Sequence, residues 1–366
     1  MRIAIVADWL TTYGGAEHVL EQLYALWPKA PFFTTVARPA NVGPLSTADI
    51  RTTSLQHLYR LTKNHQMLLP LMPRAIESID LSGFDVVLSS SHAVAKGVIV
   101  PPTARHICYC HTPMRYAWEM EEEYLRDFNI RWPLKKPIKK MLGKIRRWDL
   151  ATTQRVDHFI SNSSETQRRI KNIYGRDSVV VPPPVSERFF SYDRAKNGAL
   201  EYYLALGRMV PYKRFDLLIE LANKLRLPLK IGGVGSEFAA LKKMAGPTVE
   251  FLGFVSDDDL PSLYAGAKAL LFPQYEDAGI VPMEAMACGT PVIAYGKGGV
   301  TDVIEDAVTG ILVPDQSVEA FETALKRFES MQFNSESVRA AVMKFHEKEF
   351  QKKILAAVGA APLLSA

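Results

Sequence analysis

A chain of 366 residues, 48% hydrophobic and 23% charged, has room for two domains with separate cores and is too apolar to be disordered. Cys108, Cys110 and Cys288 supply neither a disulfide framework nor paired zinc spacing, so a reducing compartment, the cytosol, is expected; no run is long enough to span a membrane or to serve as a signal peptide. The net charge of +5 is uneven: residues 1–185 carry 24 Lys and Arg against 16 Asp and Glu, residues 186–366 carry 20 against 23, so an anionic partner is sought in the first half.

Short apolar runs recur along the chain with helical patterns between them. In the first half they are Ile3–Ala7, Phe32–Val36, Val86–Ser89, Ile107–Cys110 and Phe159–Ser161. In the second they are Tyr203–Leu206, Leu229–Ile231, Val249–Leu252, Ala269–Phe272, Val292–Ala294 and Ile311–Val313. Continuous rather than alternating runs are the pattern of parallel strands covered on both faces. With helices such as Phe215–Leu225 between them they predict α/β, doubly wound sheets. Pro182-Pro183-Pro184 divides the two series, giving a first Rossmann-like domain over 1–184 and a second over 185–343, facing each other across a cleft. The helical tail, 344–366, is expected to pack back on the first domain.

Gly14-Gly15-Ala16-Glu17 follows the first strand and opens a helix, where glycine lets backbone approach a phosphate. The spacing is not GxGxxG, which argues against a nicotinamide site. His111, in Cys110-His111-Thr112-Pro113-Met114-Arg115, stands just past a strand among prolines and aromatics. The stretch from Arg131 to Trp148 has eight cations (Arg131, Lys135, Lys136, Lys139, Lys140, Lys144, Arg146, Arg147) and no acid. With Trp132, Ile138, Met141, Leu142, Ile145 and Trp148 it reads as an interfacial helix on anionic lipid, its helix proper starting near Pro137. The alternatives are a helix whose apolar face packs on its own domain, and a nucleic-acid contact, which lacks a stacking platform.

In the second half, Gly207-Arg208-Met209-Val210-Pro211-Tyr212-Lys213 leaves a strand at its carboxyl end, where α/β sheets bind ligands. A guanidinium fork and a lysine point charge together suit a diphosphate. Gly232-Gly233-Val234-Gly235 is read as a close-approach loop, and Asp257-Asp258-Asp259 as a helix start rather than a metal site. Glu276-Asp277-Ala278-Gly279-Ile280-Val281-Pro282-Met283-Glu284 places two carboxylates eight residues apart around a glycine turn and a helix start. Pro282 suits the first helical position and puts Glu284 in the first turn, while the amides of Gly279, Ile280 and Val281 face an anion.

Taken together, these stretches resemble family 4 retaining glycosyltransferases. Glu276 to Glu284 looks like their E-x7-E motif, followed by Ala285-Met286-Ala287-Cys288-Gly289-Thr290-Pro291, and the Gly14-Gly15 loop, His111, Gly207-Arg208 and Lys213 stand where the family has them. Ala7-Asp8-Trp9-Leu10 and the stretch around His111 look like bacterial mannosyltransferases of surface-polysaccharide assembly. The resemblance implies a GT-B fold and transfer of a hexose, mannose from GDP-mannose by preference, to a lipid-linked or oligosaccharide acceptor. It further implies that Arg208 and Lys213 hold the donor diphosphate with the amides of Gly14, Gly15, Gly279, Ile280 and Val281. Glu284 would accept from ribose, Glu276 from the donor sugar, and His111 would lie near the reacting carbon. No metal or other cofactor is implied, and the enzyme would sit peripherally on the inner face of the cell membrane. The family's usual aromatic is replaced by Ala278, which favours a non-catalytic sugar-nucleotide binder as one alternative; a sugar-nucleotide epimerase, which shares the two-domain plan, is another.

Overall fold

The structure is a computed structural model that describes residues 1–119, 132–192, 194 and 201–360. It forms two α/β units, one of Met1–Pro183 with the stretch from Phe350 onward, the other of Pro184–Glu349.

The first unit has seven strands: β1 (Ile3–Ala7), β2 (Phe32–Thr34), β3 (Ile50–Thr52), β4 (Val86–Ser91), β5 (Arg105–Cys110), β6 (His158–Ser161) and β7 (Ser178–Val180). They pair in parallel in the order β3-β2-β1-β4-β5-β6-β7. Every residue of β1, β4 and β5 is buried, which is why β1 and β4 read as uninterrupted apolar or small side chains; β5 opens with buried Arg105 and His106, so only its Ile107–Cys110 part reads as a run. Edge strands β3 and β7 carry no buried residue; β3 has no apolar run, whereas β7 lies in the short run Val179-Val180-Val181 beside the prolines, which the sequence reading passed over. Side chains alternate across the sheet. Ile3, Ile5, Val86 and Leu88 meet the helix Gly15–Leu26 on one face, together with Phe350, Ile354 and Val358 of the C-terminal helix Glu347–Ala360. Ala4, Val6 and Val87 meet the helices Leu55–Thr62, Met72–Glu77 and Trp132–Ala151 on the other.

The C-terminal stretch is divided between the units. Phe345 belongs to the second unit's core; the Val185 amide donates to the Phe345 carbonyl at 2.9 Å and the Val185 carbonyl accepts from the Glu347 amide at 3.1 Å. From Phe350 on, the helix joins the first unit, where the Arg105 guanidinium donates to the Val358 carbonyl at 2.9 Å.

The second unit has β8 (Tyr202–Leu206), β9 (Leu229–Gly232), β10 (Val249–Gly253), β11 (Ala267–Phe272), β12 (Val292–Tyr295) and β13 (Gly310–Val313). These are parallel in the order β10-β9-β8-β11-β12-β13, the strand order of a dinucleotide-binding sheet. In such a sheet the connections leave in opposite directions from two adjacent strands, opening a crevice beyond their carboxyl ends. That switch lies between β1 and β4 in the first unit and between β8 and β11 in the second.

The basic helix differs from expectation in two respects. It runs from Trp132 to Ala151, so Pro137 lies inside it rather than at its start, at the expense of a single backbone hydrogen bond. Its apolar side is also already used: Leu142 and Ile145 are buried in the first unit's core, and Met141 and Trp148 pack against them. The helix is pinned from below by buried Lys96, whose ammonium lies 2.9 Å from the Asp149 carboxylate and donates to the Thr152 hydroxyl at 2.8 Å. Leu142 and Ile145 are therefore not available to lipid, while Lys136, Lys140, Lys144 and Arg147, with Leu150, are exposed on this helix.

Candidate functional site

In the second unit the switch point is built by loops that touch backbone to backbone. After β8, Gly207 takes φ +143 and its amide donates to the Gly232 carbonyl at 3.1 Å. A Cβ on Gly233 would lie 2.0 Å from the Gly207 oxygen, and one on Gly235 2.1 Å from the Met209 oxygen. The glycines of 232–235 are thus required for packing on the Gly207–Met209 loop. Met209 is fully buried and fixed by the Val234 carbonyl at 3.0 Å, which leaves its neighbour Arg208 exposed at the mouth of the loop. A turn of 3-10 helix, Pro211–Lys213, then brings the Lys213 ammonium back to within 3.0 Å of a Glu276 carboxylate oxygen.

Glu276 comes from the loop after β11, so residues 63 apart in sequence meet at the switch. The loop is strapped to the one after β12: Gly299 donates to the Glu276 carbonyl at 2.9 Å, and a Cβ on Gly298 would sit 2.4 Å from that same oxygen. Ala278 is buried with its Cα against Gly299. Gly279, at φ +74, turns the chain into the helix Ile280–Ala287. The first internal bond of that helix runs from the Met283 amide to the Gly279 carbonyl (3.2 Å), and Pro282 has no N–H, so the amides of Ile280 and Val281 precede it and are available to an anion.

Two details correct the sequence expectation. Pro282 is the third helical residue rather than the first, and Glu284 therefore falls in the second turn. Glu284 is also deep: it is 6% exposed, and its carboxylate accepts from the Tyr264 hydroxyl at 2.8 Å. Burial pushes its pKa up to about 7, against the lowering effect of the Tyr264 hydrogen bond and of nearby Arg188. The acidic run 257–259 does what a helix start requires: the Ser256 hydroxyl donates to the Asp259 carboxylate at 2.6 Å, and Asp257 pairs with Arg188 at 3.3 Å.

The first unit's switch point has a different chemistry. Asp8 ends β1 and is buried. Its carboxylate accepts from the amides of Val94 and Ala95 (2.6 Å each), His92 (2.7 Å) and Ala93 (3.1 Å), the turn that leaves β4. The His92 imidazole is 3.0 Å from the same carboxylate. Burial would raise the Asp8 pKa, but the charge of His92 and these hydrogen bonds outweigh it and hold it low. Burial opposes protonation of His92, and Asp8 more than restores it, so the imidazole is held above its ordinary pKa.

Around this pair stand more aromatic and imidazole rings. Trp9 stacks on His65 and meets the edge of His92, with ring centroids 4.6 Å apart in both cases. His111 follows β5; its amide donates to the Ser91 carbonyl at 2.9 Å and its Nε2 is 2.8 Å from the Ser90 hydroxyl. Burial, aided by the positive His92, pulls the His111 pKa down to about 3, so this ring is neutral. Burial likewise brings His65 down to about 4 and lifts Glu17 to about 6. Glu17 lies in the first turn of the helix that Gly14 caps, and the amides of Gly15 and Ala16 precede its first internal bond, Glu17 to the Gly14 carbonyl at 3.0 Å.

Of the sequence-selected residues, the structure brings Arg208, Lys213, Glu276, Gly279, Ile280, Val281 and Glu284 to one switch point, and Gly14, Gly15 and His111 to the other. Asp8, Trp9, Glu17, His65 and His92 complete the second group and were not selected as site residues. The available signal was a carboxylate and a tryptophan directly ending an apolar strand. On the basic helix, Lys136, Lys140, Lys144 and Arg147 are exposed and Lys135 is half-buried. Arg146 is turned inward, donating to the Ala117 carbonyl at 2.6 Å with its guanidinium over the Trp118 ring. Arg131 and the Trp132 side chain lie outside the described residues.

Solved structures share this fold. HepE of Anabaena, solved in complex with UDP, is 17% identical with a TM-score of 0.72 over 99% of this chain and 100% of its own. Sucrose-phosphate synthase of Thermosynechococcus elongatus is 18% identical with a TM-score of 0.75 over 98% of both chains. Both likenesses concern architecture. In sequence, the D-inositol 3-phosphate glycosyltransferases of Geodermatophilus obscurus and Kribbella flavida are 30% and 32% identical over 201 and 200 residues, 46% of this chain in each case. The aligned part is 45% and 47% of those relatives, so the chain spans about half the length of the curated relatives it matches. The model of Glycosyltransferase Family 4 matches residues 13–189 and that of Glycosyl transferases group 1 matches residues 186–344. Side by side the two models span residues 13–344, each a little under half of the chain, and leave Asp8 and Trp9 of the first switch point just outside; the chain carries two glycosyltransferase domains of the GT-B type.

Proposed function

We propose that this protein is a retaining glycosyltransferase that moves a hexose from a nucleoside diphosphate sugar to a lipid-linked or oligosaccharide acceptor. Mannose from GDP-mannose is the first candidate, on the resemblance of the segments around Asp8 and His111. The observation that carries the reading is the convergence of exposed Arg208, the Lys213–Glu276 pair at 3.0 Å and the amides of Ile280 and Val281 at one switch point.

A diphosphate leaving group gains negative charge as the glycosidic bond breaks. Lys213, held by Glu276, the exposed Arg208 and the helix-start amides stabilise that charge, the lysine and the amides being preorganised for it. Glu276 orients Lys213 and offers its remaining acceptor capacity to donor-sugar hydroxyls. Glu284 serves the ribose when ionised, and neutral His111 is suited to hydrogen bonding near the reacting carbon without repelling an oxocarbenium-like charge. Both carboxylates hold hydroxyls in this scheme; neither is a nucleophile or a general acid. No described helix is long and apolar enough to cross a membrane, and the exposed cations of the basic helix suit peripheral work on anionic lipid.

The test is a thermal-shift screen against GDP-mannose and common UDP- and dTDP-sugars, followed by turnover with membrane extracts as acceptor. A shift with one sugar nucleotide and acceptor-dependent transfer are expected. The UDP in the HepE crystals makes UDP-sugars the competing donors. Product formed without acceptor would indicate an epimerase, and binding without turnover a sugar-nucleotide binder; either outcome overturns the assignment.

A further inference from the structure

One imidazole at the first unit's switch point is held differently from its neighbours. His65 and His111 lean on hydroxyls, the Nδ1 of the one 3.2 Å from Thr11 and the Nε2 of the other 2.8 Å from Ser90. His92 leans on a carboxylate instead, its Nδ1 3.0 Å from an Asp8 oxygen. Asp8 is itself fixed. Its side chain is fully buried, and the amides of His92, Ala93, Val94 and Ala95 donate to its two oxygens, which keeps it an anion.

A carboxylate at Nδ1 dictates the tautomer: the proton stays on Nδ1, and the neutral ring carries its lone pair on Nε2. Among the described residues nothing hydrogen-bonds to that Nε2, and the His92 side chain is 29% exposed while the carboxylate behind it is sealed. The edge of Trp9 holds the ring in place, with centroids 4.6 Å apart, and the His111 ring stands 6.2 Å away. The charged groups facing it are Asp8 from β1 and Glu17 from the helix Gly15–Leu26, and both make it more basic; His65 and His111 beside it are neutral. A buried carboxylate, an imidazole oriented by it and an unengaged outward nitrogen are the parts of a general base.

We propose that His92 takes the proton of the acceptor hydroxyl, with Asp8 as the positioning residue behind it. The acceptor oxygen bonds to the anomeric carbon, and the bond from that carbon to the diphosphate oxygen breaks with its electron pair left on the diphosphate. The hydroxyl proton passes to Nε2 and from there to water at the exposed edge of the ring. Ionised Asp8 and neutral His92 together carry one negative charge, so the group they receive is an uncharged sugar hydroxyl rather than a phosphate or carboxylate. This role rests on the transferase reading and adds to it a proton acceptor on the acceptor side.

The test is the pH profile of transfer to membrane extract, between about pH 5 and 9, with the sugar nucleotide that gives the thermal shift held at saturation so that donor affinity drops out. The wild-type rate should rise about tenfold per pH unit in acid and level off above the folded pKa of His92, which lies above the ordinary 6.5. His92→Gln, checked by urea unfolding, should lose that inflection and roughly a hundredfold of the plateau rate. His92→Ala should regain transfer when imidazole is added, which a merely structural role does not predict. Glu17→Gln should keep the inflection and move it to lower pH, and it decides the matter where the His92 variants do not fold. A wild-type profile with no inflection, one that survives in folded His92→Gln, or one that Glu17→Gln abolishes or leaves in place overturns the proposal and leaves the transferase reading standing. Wild type that transfers to no acceptor overturns both.

Discussion

The two switch points occupy equivalent places in equivalent sheets and are prepared in opposite ways. Beyond β1 and β4, charge is paired and sealed: Asp8 is capped by four amides and His92, and the surrounding imidazoles are driven neutral by burial. Beyond β8 and β11, a guanidinium stands exposed and helix amides have no internal partner. The first arrangement satisfies its own electrostatics and presents rings and hydroxyl-sized polar groups; the second keeps an exposed guanidinium and two helix-start amides beside the Lys213–Glu276 pair. A neutral acceptor sugar suits the former and a diphosphate the latter.

The comparison breaks most visibly at Asp8. Asp8→Ala leaves four amides and an imidazole without their acceptor, and loss of one partner of a buried ion pair removes about 3–5 kcal/mol of stability. Urea unfolding followed by tryptophan fluorescence should show that loss; a variant as stable as wild type would mean the site is not sealed by this carboxylate. The sign of the pH dependence can be checked on the same pair. Asp8, with its pKa lowered, adds stability above its unfolded value and loses it in acid, while His92, raised, adds stability below about pH 6.5 and loses it as pH rises through its folded value.

At the open switch point the expected effect is on rate. Arg208→Ala should slow turnover roughly a hundredfold, about 3 kcal/mol of transition-state stabilisation, with unfolding unchanged because the side chain is exposed. Near-wild-type turnover in a folded variant would remove Arg208 from the mechanism.

A smaller and more diagnostic effect belongs to Glu284, whose pKa is about 7. If its carboxylate receives ribose hydroxyls, donor affinity should rise roughly tenfold between about pH 6 and 8, as expected for one group titrating there. Its contribution to stability runs the other way, being lost as pH rises from the ordinary carboxyl range through about 7. Affinity and melting temperature measured across that window should therefore diverge, and Glu284→Gln should flatten both. The smallest effect is expected at His111. With its pKa near 3 it does not titrate in the working range, so His111→Gln should leave the shape of the rate profile between about pH 5 and 8 unchanged. An inflection that disappears with His111 would show a charged imidazole at the reacting carbon.

How much of this was legible in the sequence depends on the range over which each feature is encoded. Buried central strands announced themselves as apolar runs, and the glycine turns at 207 and 279 announced themselves because no side chain suits those conformations. The edge strand Ile50–Thr52 buries nothing and gave no signal, while Ser178–Val180 was missed although Val179-Val180-Val181 is a β-branched run, because it abuts the prolines taken as the domain boundary. The Lys213–Glu276 pair was anticipated as two donor contacts but not as partners, since no local pattern records that β8 and β11 lie adjacent. Asp8 and His92 are 84 residues apart and met only once the sheet order was known. Helical spacing did reveal the apolar side of the basic helix, yet the same periodicity describes a face on lipid and a face on a core; Leu142 and Ile145 settle it for the core.

The split C-terminal stretch has a consequence for synthesis. Phe350, Ile354 and Val358 fill the face of a sheet whose first strand is made some 350 residues earlier. During translation the first unit therefore emerges with an apolar face uncovered throughout the making of the second, and it closes only when Val358 has left the ribosome. The second unit, continuous from Pro184 to Glu349, has no such dependence on the last helix. A released chain truncated after Glu349 should accordingly present a folded second unit beside a first unit that chaperones still recognise.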